Sequence, residues 1–557
     1  MELAVSGARA GAVDRPTESP ELTRSRTVVL ALMAALMTFA KQIGFLLVQD
    51  NRYFFLWRVT DTVGILLDIA VFATVLYLVA LVARRWRVGE LLWNRILFLL
   101  LVSGALTLLP QWLLPPNSLN AYRLGAAAIV AAVASIVWTR FRLMKYVSTA
   151  CLIFAPLVPI LAVQLLLATT WSADAESAGA AATPVFQGGE PAAGTKTPIF
   201  VFVFDEWSFN RSTVNGVVRP EYGRVHELAD VALGFRQAWS YSSRSYHSLP
   251  ALIYQMDQRI QIGAGVTLWR EGDKDVPTSG VPSMLETARR AGYHTAIQGF
   301  YLPYKRILGD QVEYARSFPV FPRGDSLLDS MRLSAIRNLQ WVVDPLTGSV
   351  RRRWEAEIQS RWWYDINRKM LDESLRLVDS STSNTFAVFH WPLPHGPFVL
   401  NSDGTFRGSY PEGGLLEGIS RRNGTAEAYE RHLEYHDVVV GRILDHMKAS
   451  GAFDRALVIL TSDHSWRGDP LEPTDNWKID PVMRRVPLFI KLPNQRQPRM
   501  VDKTVYNNLH LRPIVEAVIR GQALTEADWM ALINVMEDVP TPSGKNSVRP
   551  THTQESQ

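Results

Sequence analysis

Five long apolar runs in the first 171 residues constrain this chain more than any other feature of its sequence. They lie at Thr27–Val48, Thr62–Ala83, Leu91–Leu114, Ala121–Thr139 and Val147–Trp171. A helix needs about 20 predominantly apolar residues to cross the hydrocarbon core of a bilayer, so each run predicts a membrane-spanning helix. The first run begins too late, and is followed by too much apolar sequence, to be a cleaved signal peptide.

Positive charges between the runs predict their orientation. Arg and Lys residues precede the first run and fill the second and fourth loops: Arg9, Arg15, Arg24, Arg26, Arg84, Arg85, Arg87, Arg95, Arg140, Arg142 and Lys145. The loops around 50–61 and 114–120 are poorer in these residues. Because positively charged loops stay in the cytoplasm, we predict a cytoplasmic amino terminus (1–26), five transmembrane helices (27–171) and everything beyond them on the outer face.

The overall charge and the cysteine content exclude several classes of function. The formal net charge is +5, and the outer part of the chain has no Lys/Arg tract with interleaved aromatic residues, which argues against nucleic-acid binding. Cys151 is the single cysteine and lies inside an apolar run, so one chain cannot build a disulfide, a cysteine-based metal cluster or a catalytic thiol site outside the membrane.

The outer part of the chain has the pattern of an α/β domain. An Ala- and Gly-rich linker (172–196) precedes it, and a polar tail (541–557) that we expect to be disordered follows the predicted domain at 197–540. Short runs rich in Val, Ile and Phe are separated by helical stretches, which predicts a mainly parallel sheet covered by helices. These runs are Pro198–Phe204, Phe386–Phe398, Ala456–Leu460 and Val486–Pro493.

Acidic and histidine residues follow three of these runs at the point where each strand should end. They are Asp205 and Glu206, His395, and the pair Asp463 and His464. Ligands bind beyond the carboxyl ends of the strands in open α/β sheets, and these side chains supply the oxygen and nitrogen ligands that a divalent cation takes. The alternative for any one of the aspartates is an ordinary helix N-cap.

Four elements in this order resemble the alkaline phosphatase superfamily, and most closely its membrane-anchored, sulfatase-like branch of phosphoethanolamine transferases and lipoteichoic acid synthases. The first element is VFVFDEWS, a strand that ends in an acid. The others are SYHSLPAL, in which Ser245 lies three residues before a Ser-x-Pro, then PHGPF, and finally a helix leading into TSDH and RRVPLFIKLP. The resemblance covers about Thr197 to Pro493, and the five apolar runs also match that branch.

The resemblance implies a set of site residues. Ser245 would be the nucleophile, and His395 would contact the transferred group or protonate a leaving oxygen. Four further residues, with Ser245, would hold a divalent cation, zinc or manganese: Asp205, Glu206, Asp463 and His464. Weaker candidates for substrate binding are His390, His247, Arg467 and Lys478. Ser248 would then be a helix N-cap.

The same resemblance implies a bacterial inner-membrane enzyme with its catalytic domain on the periplasmic or extracellular face. Its reaction would move a phospho-linked headgroup from a membrane phospholipid to a glycan or glycolipid through a phosphorylated serine. Two alternatives stay open: a phosphoesterase that transfers the group to water, and a catalytically weakened membrane scaffold.

Two features of the sequence bear on these alternatives. The Cys/Ser-x-Pro-x-Arg motif of sulfatases is missing, since Ser248-Leu-Pro-Ala-Leu lacks the Arg, which argues against sulfate ester hydrolysis. Ser465 replaces the usual Gly after Asp-His, and the His that many relatives carry a dozen residues later is missing; Arg467 or Lys478 could supply its positive charge.

Two other histidines, His432 and His436, lie four residues apart on a polar helical stretch, where we expect a solvated face.

Overall fold

The structure is a computed structural model. It describes residues 24–47, 57–107, 143–177, 196–256, 260–262, 267–271, 274–277, 280–381, 384–408, 425–467, 485–522 and 525–535. The predicted fourth span, Lys478 and the tail at 541–557 lie outside these residues. The chain divides into two compact units, residues 1–44 with 64–164 and residues 45–63 with 165–557.

The apolar part of the chain is mostly helical where the structure describes it. Its helices are α1 (Arg24–Thr38), α2 (Ala40–Leu47), α3 (Val59–Ala83), α4 (Arg87–Thr107), α5 (Leu143–Phe154) and α6 (Leu157–Ser177). Of these, α3 is long and apolar enough to cross a membrane, and α5 with α6 forms a pair bent by 41° that could be one further span. The predicted first span is broken between α1 and α2, and α4 carries Arg87, Glu90 and Arg95 in its first turns. Five transmembrane helices are therefore not confirmed.

The larger unit is built on an eight-stranded sheet in the order β13-β4-β12-β11-β1-β10-β8-β9. Its strands are β1 (Ile199–Asp205), β4 (Leu233–Trp239), β8 (His294–Phe300), β9 (Tyr314–Phe318), β10 (Thr385–Pro394), β11 (Leu457–Ser462), β12 (Leu488–Lys491) and β13 (Arg499–Tyr506). Of these eight strands, β12 alone runs antiparallel to both neighbours. The prediction of a mainly parallel sheet is confirmed.

Shorter strands form two small antiparallel sheets beside the large one. They are β2 (Thr213–Val214) with β3 (Val217–Val218), and β5 (Ile260–Ile262) with β6 (Thr267–Glu271) and β7 (Lys274–Pro277). The helices of this unit are α7 (Phe209–Ser212), α8 (Gly223–Ala229), α9 (Ser245–Tyr254), α10 (Met284–Arg290), α11 (Tyr304–Leu308), α12 (Leu327–Asp379), α13 (Thr425–Ala449), α14 (Ala452–Arg455), α15 (Leu511–Ile519) and α16 (Glu526–Val535).

Strand β1 shows why the sheet is covered on both faces. All seven of its residues are buried. Because side chains alternate across a strand, Phe200, Phe202 and Phe204 enter the core that includes residues of α12 and α13, whereas Val201 and Val203 enter the core that includes residues of α9, α10 and α15. A strand packed on both faces needs a continuous apolar run, and its first polar residue, Asp205, falls at the carboxyl end.

The predicted solvated face at His432 and His436 is wrong. Both side chains are buried where α13 packs against the sheet, at 0% and 1% exposure. His436 lies edge-on to Phe204, with ring centroids 4.1 Å apart, and His432 Nε2 accepts a hydrogen bond from the Leu400 backbone N–H. The helix buries these histidines because the aromatic rings of β1 and its following turn need a packing partner.

Candidate active site and metal centre

Two tight turns at the carboxyl ends of β1 and β11 bring the predicted acids together. Asp463 Oδ1 accepts hydrogen bonds from the backbone N–H groups of Glu206 (3.3 Å) and His464 (2.8 Å). Glu206 has a left-handed backbone with φ 63°, a conformation that costs energy for a side chain other than Gly. The Tyr429 hydroxyl donates to the Glu206 carbonyl at 2.7 Å. These bonds hold the strained turn, and the two adjacent strands therefore present Asp205 and Asp463 at one edge.

Ser245 is brought to this edge by α9, whose apolar residues pack in the core on the opposite face of the sheet from α12 and α13. It is the first residue of α9 and is buried, and its Oγ lies 3.4 Å from His464 Nε2 and hydrogen-bonds the Asp205 carboxylate. The predicted N-cap role of Ser248 is wrong, because the helix begins three residues earlier. The Ser248 hydroxyl instead bonds the Ser242 backbone, accepting from its N–H at 3.0 Å and donating to its carbonyl at 2.8 Å.

The spacing of the ligand atoms fits a divalent cation. His464 Nε2 lies 3.4 Å from Ser245 Oγ, 3.6 Å from Asp205 Oδ1 and 3.5 Å from Asp463 Oδ2. Four ligands placed tetrahedrally about 2.1 Å from zinc would be about 3.4 Å apart. His464 Nδ1 is 2.9 Å from the Ser465 carbonyl, which can only accept. Nδ1 therefore carries the proton, and Nε2 keeps the lone pair that a metal needs.

Buried carboxylate oxygens without hydrogen-bond partners also indicate a cation site. Asp205 Oδ1 and Asp463 Oδ2 are buried and have no hydrogen-bond partner among the described residues. Burial, together with the charges of Asp463 and Glu206, raises the pKa of Asp205 well above its usual value. Buried carboxylates without partners are costly, and a bound cation would offset that cost. The residues present therefore fit a metal ion.

The sequence of this region matches a known family. The family model described as Sulfatase matches residues 198–515 of the 557. The chain belongs to the sulfatase family. This places it in the alkaline phosphatase superfamily, whose members cleave or transfer sulfate and phosphate esters, and the predicted resemblance to that superfamily is confirmed.

The solved structures that this sulfatase-family chain resembles include three bacterial proteins. A superfamily protein from Vibrio parahaemolyticus is 14% identical and the match covers 61% of this chain and 72% of that one, with a TM-score of 0.37. Phosphonate monoester hydrolase of Agrobacterium radiobacter is 16% identical, and the match covers 58% of this chain and 74% of that one, with a TM-score of 0.38. Lipoteichoic acid synthase LtaP from Listeria monocytogenes is 13% identical, and the match covers 64% of this chain and 78% of that one, with a TM-score of 0.34. No curated protein matches the sequence, and the family assignment rests on the family model.

The Glu206 carboxylate, unlike those of Asp205 and Asp463, is paired with a cation from the protein itself. Its Oε1 accepts a hydrogen bond from Arg467 Nε at 2.6 Å, and Arg467 Nη2 lies 3.2 Å from His395 Nε2. Burial raises the pKa of Glu206, but its electrostatic interactions with His395 and Arg467 and the hydrogen bond from Arg467 lower it to about 2. The sequence grouped Glu206 with the metal ligands, whereas the described geometry pairs it with Arg467.

The orientation of His395 follows from its backbone neighbour. His395 Nδ1 is hydrogen-bonded to the Gly396 carbonyl, which can only accept. Nε2 is then an acceptor for Arg467, and burial lowers the pKa of His395, so the ring is neutral. Its ring also packs 5.9 Å from that of Trp363. The site therefore contains a fixed guanidinium and a neutral imidazole whose basic nitrogen, Nε2, accepts a hydrogen bond from that guanidinium.

His390 belongs with the metal-ligating group by position. It lies inside β10 and is fully buried, and one of its ring nitrogens lies within 4.8 Å of a carboxylate oxygen of Asp205 and of Asp463. Burial lowers its pKa to about 4, so the ring is neutral. His247, by contrast, lies with its ring 4.1 Å from that of Tyr246.

Two residues at this site gave no signal in the sequence. Tyr304 hydrogen-bonds His390 at 2.7 Å from a position 86 residues away, and Tyr429 binds the backbone of the turn after β1. Neither belongs to a recognisable motif, because each acts through a single hydroxyl that only the tertiary fold brings into place.

Proposed function

We propose that this protein is a metal-dependent transferase that moves a phospho-linked headgroup, of the phosphoethanolamine or phosphoglycerol type, from a membrane phospholipid to an envelope glycan or glycolipid. The observation that carries the proposal is the Ser245 hydroxyl within hydrogen-bonding distance of His464 and Asp205, beside two carboxylate oxygens that have no other partner in the described part of the chain. A nucleophile and a cation site therefore share one buried edge.

The first step would place the headgroup on the serine. Ser245 Oγ forms a bond to phosphorus as the bond from phosphorus to the lipid oxygen breaks, and the lipid leaves as an alcohol after taking up a proton. Asp205, Asp463, His464 and Ser245 would hold the cation, which would favour the serine alkoxide and offset charge on the phosphoryl oxygens. Arg467, fixed by Glu206, is placed to bind a phosphoryl oxygen.

The second step would regenerate the serine. An acceptor hydroxyl attacks phosphorus, the bond to Ser245 Oγ breaks, and the acceptor proton passes to a base. His395 Nε2 suits that role because Nδ1 already donates to the Gly396 carbonyl and the ring is neutral. Its lone pair, which accepts from Arg467 Nη2 in this structure, becomes available when the guanidinium turns to a phosphoryl oxygen. In this proposal His395 removes the proton from the acceptor hydroxyl. Arg467, rather than a histidine, supplies the fixed positive charge of the site.

Two further features favour phosphate chemistry near a membrane. The nucleophile region lacks the Cys/Ser-x-Pro-x-Arg motif that sulfatases convert to formylglycine. The apolar helix α3 (Val59–Ala83) has the length and composition of a membrane span, and α6, part of the candidate span α5–α6, ends at Ser177, before β1 begins at Ile199 in the sequence. A domain held beside a bilayer has lipid as its nearest phosphodiester donor.

Loss of the Ser245 hydroxyl tests the proposal directly. We expect Ser245→Ala to abolish transfer from a headgroup-labelled phospholipid and to remove the phosphorylated serine from the peptide that contains residue 245, both read by mass spectrometry. Ser243→Ala, in the preceding loop, is the matched control and should retain both. Unchanged product with Ser245→Ala would rule out the assignment. Release of free headgroup without a glycan product would show a hydrolase instead.

A further inference from the structure

His390 is the one member of the buried acidic cluster whose role the two-step reaction leaves open. It lies in the middle of the sheet, where β10 pairs with β1 on one side and β8 on the other. Its Nε2 is buried without a hydrogen-bond partner among the described residues, as are Asp205 Oδ1 and Asp463 Oδ2. These three residues each offer a ligand atom, and the atoms lie within 4.8 Å of one another.

The other ring nitrogen of His390 is fully occupied. His390 Nδ1 lies 2.7 Å from the Tyr304 hydroxyl oxygen and 3.1 Å from the Phe300 carbonyl oxygen. A carbonyl can only accept, so Nδ1 carries the proton and shares it between these two oxygens. The bare lone pair is then on Nε2, the ring nitrogen that is left to serve as a ligand atom. Metal-binding histidines are held in this way by their second nitrogen.

The Tyr304 ring can approach His390 because the neighbouring residue on β8, Gly299, has no side chain. Gly299 pairs with His390 across the β8–β10 ladder. A Cβ at position 299 would lie 2.5 Å from Tyr304 Cε2 and 2.7 Å from its hydroxyl oxygen, closer than real Cβ contacts. A side chain at 299 would therefore displace the Tyr304 ring from His390. Glycine here is required by the close approach of the phenol.

We propose that His390 Nε2 is a direct ligand of the cation, beside His464, and that Tyr304 is the residue that positions the His390 ring. The inference rests on the proposed metal-dependent function and specifies the ligand set of its site. It gives the centre two imidazole ligands, one from within β10 and one from the turn after β11, where the family resemblance implied one. Tyr304 acts through His390 and has no direct role in the chemistry.

X-ray absorption of the zinc-loaded wild-type protein, full-length in detergent, tests the ligand set without any substitution. Outer-shell scattering should require two imidazoles. One imidazole would overturn the proposal. The measurement needs no substrate, so a protein that binds zinc through two imidazoles yet transfers no headgroup would refute the proposed function and leave this inference standing.

Substitution of Tyr304 tests its positioning role. After metal removal and cobalt titration with zinc competition, Tyr304→Phe should weaken zinc binding about 10-fold and change the visible absorption of the cobalt form. Gly299→Ala should act in the same direction. Tyr254→Phe is the matched control, since this buried hydroxyl donates to the Ile307 carbonyl at 3.0 Å, and it should bind zinc as the wild type does. Wild-type affinity in Tyr304→Phe would refute the role.

Discussion

The carboxyl edge of the sheet and the inner face of α13 both bury aspartate and histidine side chains, yet only the first resembles a reaction centre. At the edge, carboxylate oxygens of Asp205 and Asp463 lack hydrogen-bond partners among the described residues and point to a common volume. On α13, Asp437 accepts backbone N–H groups from Arg224 and Val225 at 2.7–3.1 Å, and its carboxylate is satisfied.

The histidines differ in the same way. His436 has an unpaired buried Nε2, but its ring faces Phe204 and Trp207, with centroids 4.1 and 4.6 Å away. His464 faces three oxygen atoms at 3.4–3.6 Å. Burial and residue type are therefore poor signs of function by themselves. The informative sign is several unpaired polar atoms that converge on one position.

The largest expected effect separates the two buried aspartates. Asp463→Asn removes a negative ligand atom, and we expect it to lower transfer by about 10³-fold and to weaken zinc binding strongly. Asp437→Asn is the matched control. It should retain zinc binding and instead destabilise the start of α8 by about 1 kcal/mol, the usual value of a lost helix cap. Zinc titration and chemical unfolding measure the two effects. Equal zinc affinity in Asp463→Asn and the wild type would remove the basis of the comparison.

A smaller effect is expected at the Glu206–Arg467 pair. If Glu206 holds Arg467 rather than the cation, Glu206→Gln should leave zinc affinity unchanged and lower kcat/KM for transfer roughly 10-fold, because a guanidinium without its carboxylate partner is no longer fixed. Glu430→Gln is the control, since Glu430 pairs with Arg211 at 2.6 Å in the same domain. It should change neither quantity. Weakened zinc binding in Glu206→Gln would restore Glu206 to the ligand set.

The strands at the centre of the sheet could be predicted from the sequence because composition alone specifies them. The runs at Pro198–Phe204, Phe386–Phe398, Ala456–Leu460 and Val486–Pro493 became β1, β10, β11 and β12. A strand buried on both faces must be apolar throughout. The direction of β12 could not be predicted, because an apolar run has the same composition in either direction. The outer strand β13, with mixed burial, gave no comparable signal.

The acids of the site could be predicted from strand ends, but the orientation of their side chains could not. Glu206 follows Asp205 directly, and only its left-handed backbone explains why the two carboxylates have different partners. His390 depends on Tyr304, whose position on α11 no local pattern links to β10. His432 and His436 look solvated in a polar stretch, and they are buried because that helix face packs on aromatic rings.

The last prediction concerns stability at acidic pH rather than transfer. Burial lowers the pKa of His436 to about 3 in the folded protein, against about 6.5 in the unfolded chain. Below pH 6.5 the unfolded chain therefore binds a proton that the folded protein does not, so stability falls as the pH drops from about 6.5 toward 3. For this single group the free energy of unfolding should decrease by about 2 kcal/mol between pH 7 and pH 5.

His436→Met tests this contribution while retaining contact with the neighbouring rings, because a thioether packs well against aromatic side chains. Urea unfolding at pH 7 and pH 5 should show a decrease in stability about 2 kcal/mol smaller in the variant than in the wild type. His226→Met on α8 provides a comparison variant, in which a half-buried histidine 3.7 Å from Asp230 is replaced in the same way. Zinc binding should be unchanged in both variants, because neither ring faces the carboxylates. Loss of zinc binding in His436→Met would show that the aromatic layer and the carboxyl edge are one site.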